Sequence, residues 1–279
     1  VLRLVQHYAS AAGLQRIAVA GGVALNSLMN QRIRESGNVS ALYAPPVCSD
    51  AGLALGGAYL GAVEGGDTPA SLPHAYWGPE FSQEEIRTVL DRAGVDYQET
   101  SDPVEAAVDR LDAGQIVGWF QGRMEYGPRA LGSRSILADP RSGTVKDTIN
   151  AKVKFREQFR PLAPSVLHGH GAPYFEDYVN SPYMTQTFTA SPAALRQAPA
   201  VVHVDGTRRL QSVHPETNPL YADLIARFAQ RADLPLLVNT SLNAYDDPIA
   251  CEPHQALRTF FATGLDTLVM GDFVLDKPR

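Results

Sequence analysis

Residues 121–161 read QGRMEYGPRALGSRSILADPRSGTVKDTINAKVKFREQFRP. The stretch holds nine Lys or Arg against four Asp or Glu, whereas the rest of the chain holds 15 against 26. A chain of formal net charge −6 therefore gathers its positive charge into one segment. That segment is rich in Gly and broken by prolines, which excludes one long solvated helix. Arg123, Arg129 and Arg134 alternate with Gly122, Gly127 and Gly132, and the apolar run QIVGWF at 115–120 leads straight into them. A buried strand ending in a Gly-rich, Arg-rich turn is how α/β proteins present N–H groups and cations to a phosphate. Guanidinium offers forked donors and stays charged, so phosphate is the first candidate ligand. Most basic segments are only solvated surface; the preceding strand and the Arg–Gly alternation set this one apart.

Working outward, 279 residues allow one large domain or two ordinary ones. A hydrophobic content of 44% with 19% charge is that of a globular chain with enough apolar surface for a core. No apolar run approaches the ~20 residues of a membrane span, and no signal peptide is evident. Cys48 and Cys251 form no CxxC and need no disulfide, which fits a reducing cytoplasm. Net acidity argues against nucleic acid as a partner. The chain opens on Val1 and enters directly into an amphipathic helix, so it is expected to begin inside a larger protein.

Residues 1–64 read as alternating α and β. A short strand at 17–20 meets the turn Gly21–Gly22, a helix follows over 23–35, and a second strand at 41–44 stops at Pro45 and Pro46. Ser49 is expected to cap a small-residue helix over 51–62. Strand, Gly-Gly and helix place free N–H groups and a helix dipole at one point, where a nucleotide phosphate can sit; plain turn chemistry is the commoner use of such a pair. Residues 65–78 have the composition of a linker, dividing the chain into 1–64 and 79–279.

The second region reads as α+β. Ser82 with Glu85 signals a capping box for a helix to about 93. A strand at 95–99, a helix at 103–113, the strand at 115–120, a helix at 144–153 and a strand at 163–167 follow. His168 and His170 stand at i, i+2 without a third metal ligand nearby. Residues 173–183 form an aromatic loop, a candidate lid, before a strand at 185–189. VVHVDGTRRLQSV at 201–213 reads as a hairpin about Asp205–Gly206, placing His203, Arg209 and Gln211 on its strands. A helix at 219–232 and a strand at 234–238 lead to Asn239, Thr240, Ser241, Leu242 and Asn243, a strand end dense in donors and acceptors. A helix opened by Pro253 and a strand at 267–270 close the chain. No Walker A, GxSxG or HExxH sequence occurs, so the chemistry implied is phosphate handling by position and charge.

The motifs GGVALN (21–26), SDAGLALGGA (49–58), GRMEYGPRALGSRSILADPR (122–141), KFREQFRPLAPSV (154–166), HVDGTRRLQSV (203–213) and NTSLNAYDDPI (239–249) together resemble the O-carbamoyltransferase family. That family includes the nodulation-factor enzymes and those of tobramycin and cephamycin biosynthesis. The resemblance implies the C-terminal part of an actin/hexokinase-like ATPase-type domain followed by a YrdC-like domain. It implies that carbamoyl phosphate and ATP give carbamoyl-adenylate, and that the carbamoyl group passes to a hydroxyl of a small-molecule acceptor. ATP, Mg²⁺ and iron are the cofactors it implies. On the family pattern, Arg123, Arg129, Arg134, Lys154, Arg156 and Arg160 hold the phosphates, while Asn239, Ser241 and Asn243, with Arg209, bind the nucleotide or carbamoyl group. Gly21, Gly22 and Asn26 match the adenylate-binding turn, and Asp50 matches a metal-ligand aspartate. The family's two further metal ligands, the histidines of an HxxH motif, have no counterpart here, and one carboxylate does not hold an iron. Leu242 replaces the usual phenylalanine, and Asp246–Asp247 replaces the usual Gly-Glu. A truncated nucleotide-binding remnant, completed by a missing half or a partner chain, is the alternative. A tRNA-modifying threonylcarbamoyl-adenylate enzyme is disfavoured by the lack of a broad basic face.

Overall fold

The computed structural model describes residues 1–203 and 205–278. The N-terminal region comprises α1 (Leu2–Ala12), β1 (Arg16–Ala18), α2 (Ser27–Arg34), β2 (Ala41–Tyr43) and α3 (Gly52–Glu64). β1 and β2 pair in parallel, Ile17 opposite Leu42. Such pairing needs a crossover, and α2 provides it. The helix expected over 23–35 is divided. A 3₁₀ turn, Gly22–Leu25, comes first; Asn26 then accepts from the Met29 N–H at 3.0 Å and starts α2. Asparagine in extended backbone is a strong N-cap, so it restarts the helix one residue on. Ser49 is not the cap expected of it: it gives its carbonyl to the Gly52 N–H, and Ala51 occupies the cap position of α3.

The larger region comprises α4 (Gln83–Ala93), β3 (Gln98–Glu99), α5 (Pro103–Asp112), β4 (Val117–Phe120), β5 (Arg134–Ala138), α6 (Val145–Thr148), β6 (Ala163–Leu167), β7 (Thr187–Thr189), α7 (Pro192–Gln197), β8 (Thr207–Arg209), β9 (Gln211–Val213), α8 (Pro219–Ala232), β10 (Leu236–Ser241), α9 (Pro253–Ala262), β11 (Thr267–Met270) and β12 (Phe273–Asp276). Ser82 and Glu85 form the reciprocal capping box at α4. Asp102 and Asn218 cap α5 and α8, each followed by proline at the first helical position.

Eight strands form one mixed sheet in the order β3-β12-β11-β4-β5-β10-β6-β9. β4 with β11 and β6 with β9 are parallel; the other pairs are antiparallel. Side chains alternate between two buried faces. Val117, Trp119, Leu137, Leu237 and Val269 pack on α5 and α8, whereas Phe120, Ile136, Val238 and Leu268 pack on α4 and α9. Strands buried on both sides read as continuous apolar runs, and each large side chain so buried contributes roughly 2 kcal/mol. The expected class, α/β followed by α+β, is what this architecture holds. None of the described helices is long and apolar enough to cross a membrane.

Three departures bear on the site. β5 lies inside the basic stretch, at RSILA, and forms the middle of the sheet. The strand expected at 234–238 extends through Asn239 to Ser241. The expected hairpin at 201–213 does not form between its own halves: β8 pairs with β7 and β9 with β6, and residues 199–201 are a 3₁₀ turn. Val204, within that expected hairpin, lies outside the described residues. Asp205 instead accepts from the Thr207 N–H at 2.9 Å and the His203 ring at 2.7 Å, local bonds that compete with strand pairing.

The N-terminal region meets the larger one along β7. Asn30, fully buried, donates to the Thr185 carbonyl at 2.7 Å, and the Thr187 hydroxyl donates to the Ser27 carbonyl at 3.2 Å.

Candidate functional site

The basic stretch leaves β4 at Phe120 and returns as β5 at Arg134. Arg134 closes the neck of this loop: its guanidinium donates to the carbonyls of Gln121, Gly122, Ser133 and Pro79 at 3.0–3.2 Å. The same group lies 3.7 Å over the Phe120 ring. With both terminal nitrogens on carbonyls, Arg134 braces the loop, while its Nε is buried without a partner. Two glycines fix the path between. At Gly132, φ is 106° and a Cβ would stand 2.1 Å from the Tyr221 ring; at Gly127, φ is 130° and a Cβ would stand 2.6 Å from the Pro46 carbonyl oxygen.

The second source of positive charge comes after α6. The expected helix over 144–153 opens into a π turn, Ile149–Val153, whose last bond runs from the Lys154 N–H to the Ile149 carbonyl at 2.8 Å. Such turns re-aim side chains and recur at functional sites. Asn150, fully buried, organises the segment from Arg156 to Arg160: it donates to the carbonyls of Gln158 and Arg160 and accepts from Arg156 Nε at 2.8 Å. Phe155, between the two cations, is held at φ 44°. A left-handed bulky residue costs about 1–2 kcal/mol, and such strain persists where surrounding bonds over-determine it.

These bonds carry Lys154 to the end of β10. Its Nζ donates to the Ser241 carbonyl at 2.5 Å, the Asn243 carbonyl at 3.0 Å and Asn243 Oδ1 at 2.6 Å, with Ser241 Oγ at 3.3 Å. Ser241 Oγ donates to Asn243 Oδ1 at 2.6 Å, and Asn243 Nδ2 donates to the Asp247 carbonyl at 2.6 Å. Burial, with Arg156 adding to it, pushes the Lys154 ammonium down to about 7. The replacements near this strand end are accommodated where they stand. Leu242 is fully buried in the core. Asp246 adopts φ 61°, the left-handed conformation that glycine takes easily and that Asp tolerates.

Arg209, at the end of β8, completes the group. Its pKa is pushed down to about 9, by burial first and then by Arg129 and Arg156. Burial also lowers Arg129 and Arg156, the latter with a contribution from Arg160. The Nε atoms of Arg129 and Arg209 are buried without hydrogen-bond partners. Among the described residues none of Lys154, Arg129, Arg156 and Arg209 has a carboxylate within 4 Å; Glu157 offsets Arg156 from further off and is itself paired with Arg160. Like charges gathered and desolvated with so little opposing charge are unfavourable alone, and a multiply charged oxygen ligand relieves them.

The remaining sequence-predicted residues lie elsewhere. Arg160 is exposed and pairs with Glu157 at 2.9 Å. Arg123 is exposed and donates to the Trp77 carbonyl at 3.4 Å, beside a cavity of about 560 Å³ that it shares with Trp77, Glu80 and Asn218. Asn239 is buried, one strand residue-pair before Ser241. Its Nδ2 is shared among Ser165 Oγ at 2.9 Å, Gln211 Oε1 at 3.0 Å and the Ala130 carbonyl at 3.3 Å, while its Oδ1 has no partner. Gly21 and Gly22 begin the 3₁₀ turn and Asn26 caps α2, all within the N-terminal region. Asp50 is exposed, and among the described residues no group of three His, Cys, Asp or Glu could hold a metal. The residues present therefore do not fit an iron site. His168 stacks on His214 with centroids 4.0 Å apart, while His170 is exposed.

A second cavity, of about 520 Å³, lies where the two regions meet. Tyr43 and Ala44 line it from one side, and Leu131, Tyr183, Gln211 and His214 from the other. Two functional residues carried no plain sequence signal. Asn150 sits unremarkably in an apolar turn, and Glu125 is an isolated acid inside a basic motif, its one distinguishing mark in the sequence.

Residues 108–277 match the model of the carbamoyltransferase C-terminus, and residues 1–59 that of the carbamoyltransferase N-terminus. Nodulation protein NolO of Bradyrhizobium diazoefficiens is 41% identical over 99% of this chain and 52% of its own length. The chain spans about half the length of the curated relatives it matches. Among solved structures, full-length HypF in its phosphate- and nucleotide-bound form aligns with 65% of the chain and 23% of its own, at 13% identity and a TM-score of 0.43. P. abyssi Sua5 complexed with L-threonine aligns with 61% and 46%, at 12% identity and a TM-score of 0.41. With the C-terminal model covering more than half its residues, the chain belongs to the carbamoyltransferase family.

Proposed function

We propose that this chain carries the carbamoyl-activating part of an ATP-dependent O-carbamoyltransferase, with a YrdC-like larger region. Water opens carbamoyl phosphate to carbamate and phosphate. A carbamate oxygen then attacks the α-phosphorus of ATP, its bond to the β-phosphate oxygen breaks, and pyrophosphate leaves, giving carbamoyl-adenylate. A hydroxyl of a small-molecule acceptor attacks the carbamoyl carbon, AMP departs, and the hydroxyl proton passes to solvent.

The observation that supports this reading is the convergence of Lys154, Arg129, Arg156 and Arg209, where the one carboxylate acting on them, Glu157 beside Arg156, is itself paired with Arg160. These residues bind the phosphates and spread the charge that builds on the leaving pyrophosphate. Ser241 and Asn243 fix the Lys154 ammonium. Mg²⁺ supplies further charge neutralisation on the ATP phosphates. Burial keeps bulk water from the mixed anhydride once formed.

The test is pyrophosphate release from ATP with carbamoyl phosphate and Mg²⁺, without acceptor. Wild type and Arg160→Ala should release it, and Arg209→Ala should lose roughly tenfold or more, since a buried charge contact contributes more than about 1.4 kcal/mol. Folded wild type that binds ATP yet releases nothing would sink the reading. That outcome would favour a chain that only binds nucleotide.

A further inference from the structure

Glu125 is a carboxylate with no part in the mechanism above, and it lies inside the arginine loop. It is buried, and burial raises its pKa against the pull of its hydrogen bonds and of Arg134. Oε1 accepts from three backbone N–H groups of the returning limb: Leu131 at 2.6 Å, Ser133 at 2.7 Å and Arg134 at 3.3 Å. Oε2 is buried without a partner. The intervening Gly132 N–H donates to Ser135 Oγ at 3.0 Å.

The loop is held at three places. Arg134 ties its neck through the carbonyls of residues 121, 122 and 133. Outside, the Tyr126 N–H donates to the Ala75 carbonyl at 2.6 Å, and Gly127 lies against the Pro46 carbonyl. Inside, the Glu125 side chain is the acceptor for the N–H groups of 131 and 133. Arg129 hangs from the span between these ties, and its distance from Arg209 and Arg156 depends on the loop's shape. Backbone N–H groups converging on one oxygen form an anion-binding nest, here filled from within the chain.

We propose that Glu125 is a positioning residue: its carboxylate, seated in the nest of residues 131–134, sets the loop conformation that presents Arg129 to the anionic ligand. This rests on the phosphate-binding reading of the cluster. The sign of the effect separates shape from charge. A negative charge near a cationic site weakens anion binding, so an electrostatic role alone makes its removal tighten the ligand. A positioning role makes removal loosen it.

The experiment measures binding of ATP by calorimetry, and KM for carbamoyl phosphate in pyrophosphate release, for wild type, Glu125→Gln, Glu125→Asp and Glu125→Ala. Glu125→Gln keeps an oxygen acceptor of the same reach and should bind ATP within about threefold of wild type. Glu125→Asp, one methylene short of the nest, and Glu125→Ala should each raise Kd and KM about tenfold with kcat less affected. Added acetate should partly restore ATP affinity to Glu125→Ala by refilling the nest. Should Glu125→Ala fail to fold, Glu125→Asp against Glu125→Gln carries the same comparison. Folded Glu125→Asp or Glu125→Ala binding ATP as tightly as wild type, or tighter, overturns the proposal. Wild type that binds no ATP at all overturns the phosphate-binding reading and this proposal with it, whereas intact wild-type binding with indifferent variants overturns the positioning role alone.

Discussion

ATP binding to the cationic cluster should draw a proton from solvent, and Lys154 should be its destination. Burial holds that ammonium at about 7. At pH 8 a group of that pKa is roughly one-tenth protonated in the free protein. A phosphate oxygen brought within ~4 Å contributes roughly 4 kcal/mol at an effective dielectric constant of 20, equivalent to about three pKa units. Lys154 then becomes almost fully charged, so binding takes up roughly 0.9 proton per ATP. The ligand barely disturbs this figure, because phosphoryl groups with a second ionisation near pH 6 are already dianionic at pH 8. Arg209, held at about 9, adds roughly a tenth of a proton by the same arithmetic. The assay is titration calorimetry at pH 8 in buffers of different ionisation enthalpy, where the slope of observed heat against that enthalpy gives the proton number. Lys154→Met should still fold, bind more weakly and take up roughly 0.1 proton. A wild-type slope of zero with ATP bound would refute the reasoning, as would Lys154→Met retaining the full uptake.

The same group sets a pH dependence of stability. Unfolded, Lys154 titrates at its ordinary value of 10.5, against about 7 in the folded chain. Between these values the unfolded chain holds a proton that the folded chain has lost, so unfolding free energy should rise with pH by up to about 1.4 kcal/mol per unit; chemical denaturation from pH 7 to 10 should show the rise and Lys154→Met should flatten it. Gly132→Ala meets both a φ of 106° and the Tyr221 ring, so it should destabilise by about 3 kcal/mol or more, read as a drop in Tm with the loop's ATP affinity lost in parallel. Asn239→Ala removes the donor shared by Ser165, Gln211 and the Ala130 carbonyl, and should cost about 2 kcal/mol in denaturant unfolding; a change under ~0.5 kcal/mol would mean that the network repairs itself.

Elements with local signatures were readable from the sequence, and those that depend on distant pairing were not. α4 announces itself by Ser82 and Glu85 at the capping-box offset. β4, β6 and β11 are apolar runs between breakers. β5 escapes because it begins at Arg134 within a stretch dominated by charge, yet its position beside β10 buries it completely. The Asp205–Gly206 pair signals a turn and a turn does form, but β8 finds its partner in β7, some twenty residues upstream, and no local pattern encodes that choice. The site divides in the same way. Charge pointed to Arg123, Arg129 and Arg134, and the family pattern added Lys154, Arg156, Arg160 and Arg209 with Asn239, Ser241 and Asn243. Distinguishing Arg134 from Arg129 required knowing which carbonyls each guanidinium meets, and those belong to residues up to 55 positions away.

Two arginines five residues apart in one motif thus meet opposite surroundings. Arg134 has its charge dispersed over four carbonyl oxygens and an aromatic face. Arg129 has no such set of carbonyls around it; its buried Nε lacks a partner, as does that of Arg134. The first makes the second tolerable. A loop free to relax would swing Arg129 into water and escape both desolvation and the repulsion of Arg209 and Arg156. The brace at its neck, Glu125 in its interior and Gly132 locked under Tyr221 together remove that freedom. The unfavourable energy of gathering the cations is then carried by the sheet and its flanking helices, and on the proposed reading an anion would release it. On the proposed reading, the rigidity of the motif and its affinity for phosphate are in this sense one property. Substitutions that loosen the loop without touching a cation, Gly132→Ala foremost, should weaken ligand binding as surely as removing an arginine does.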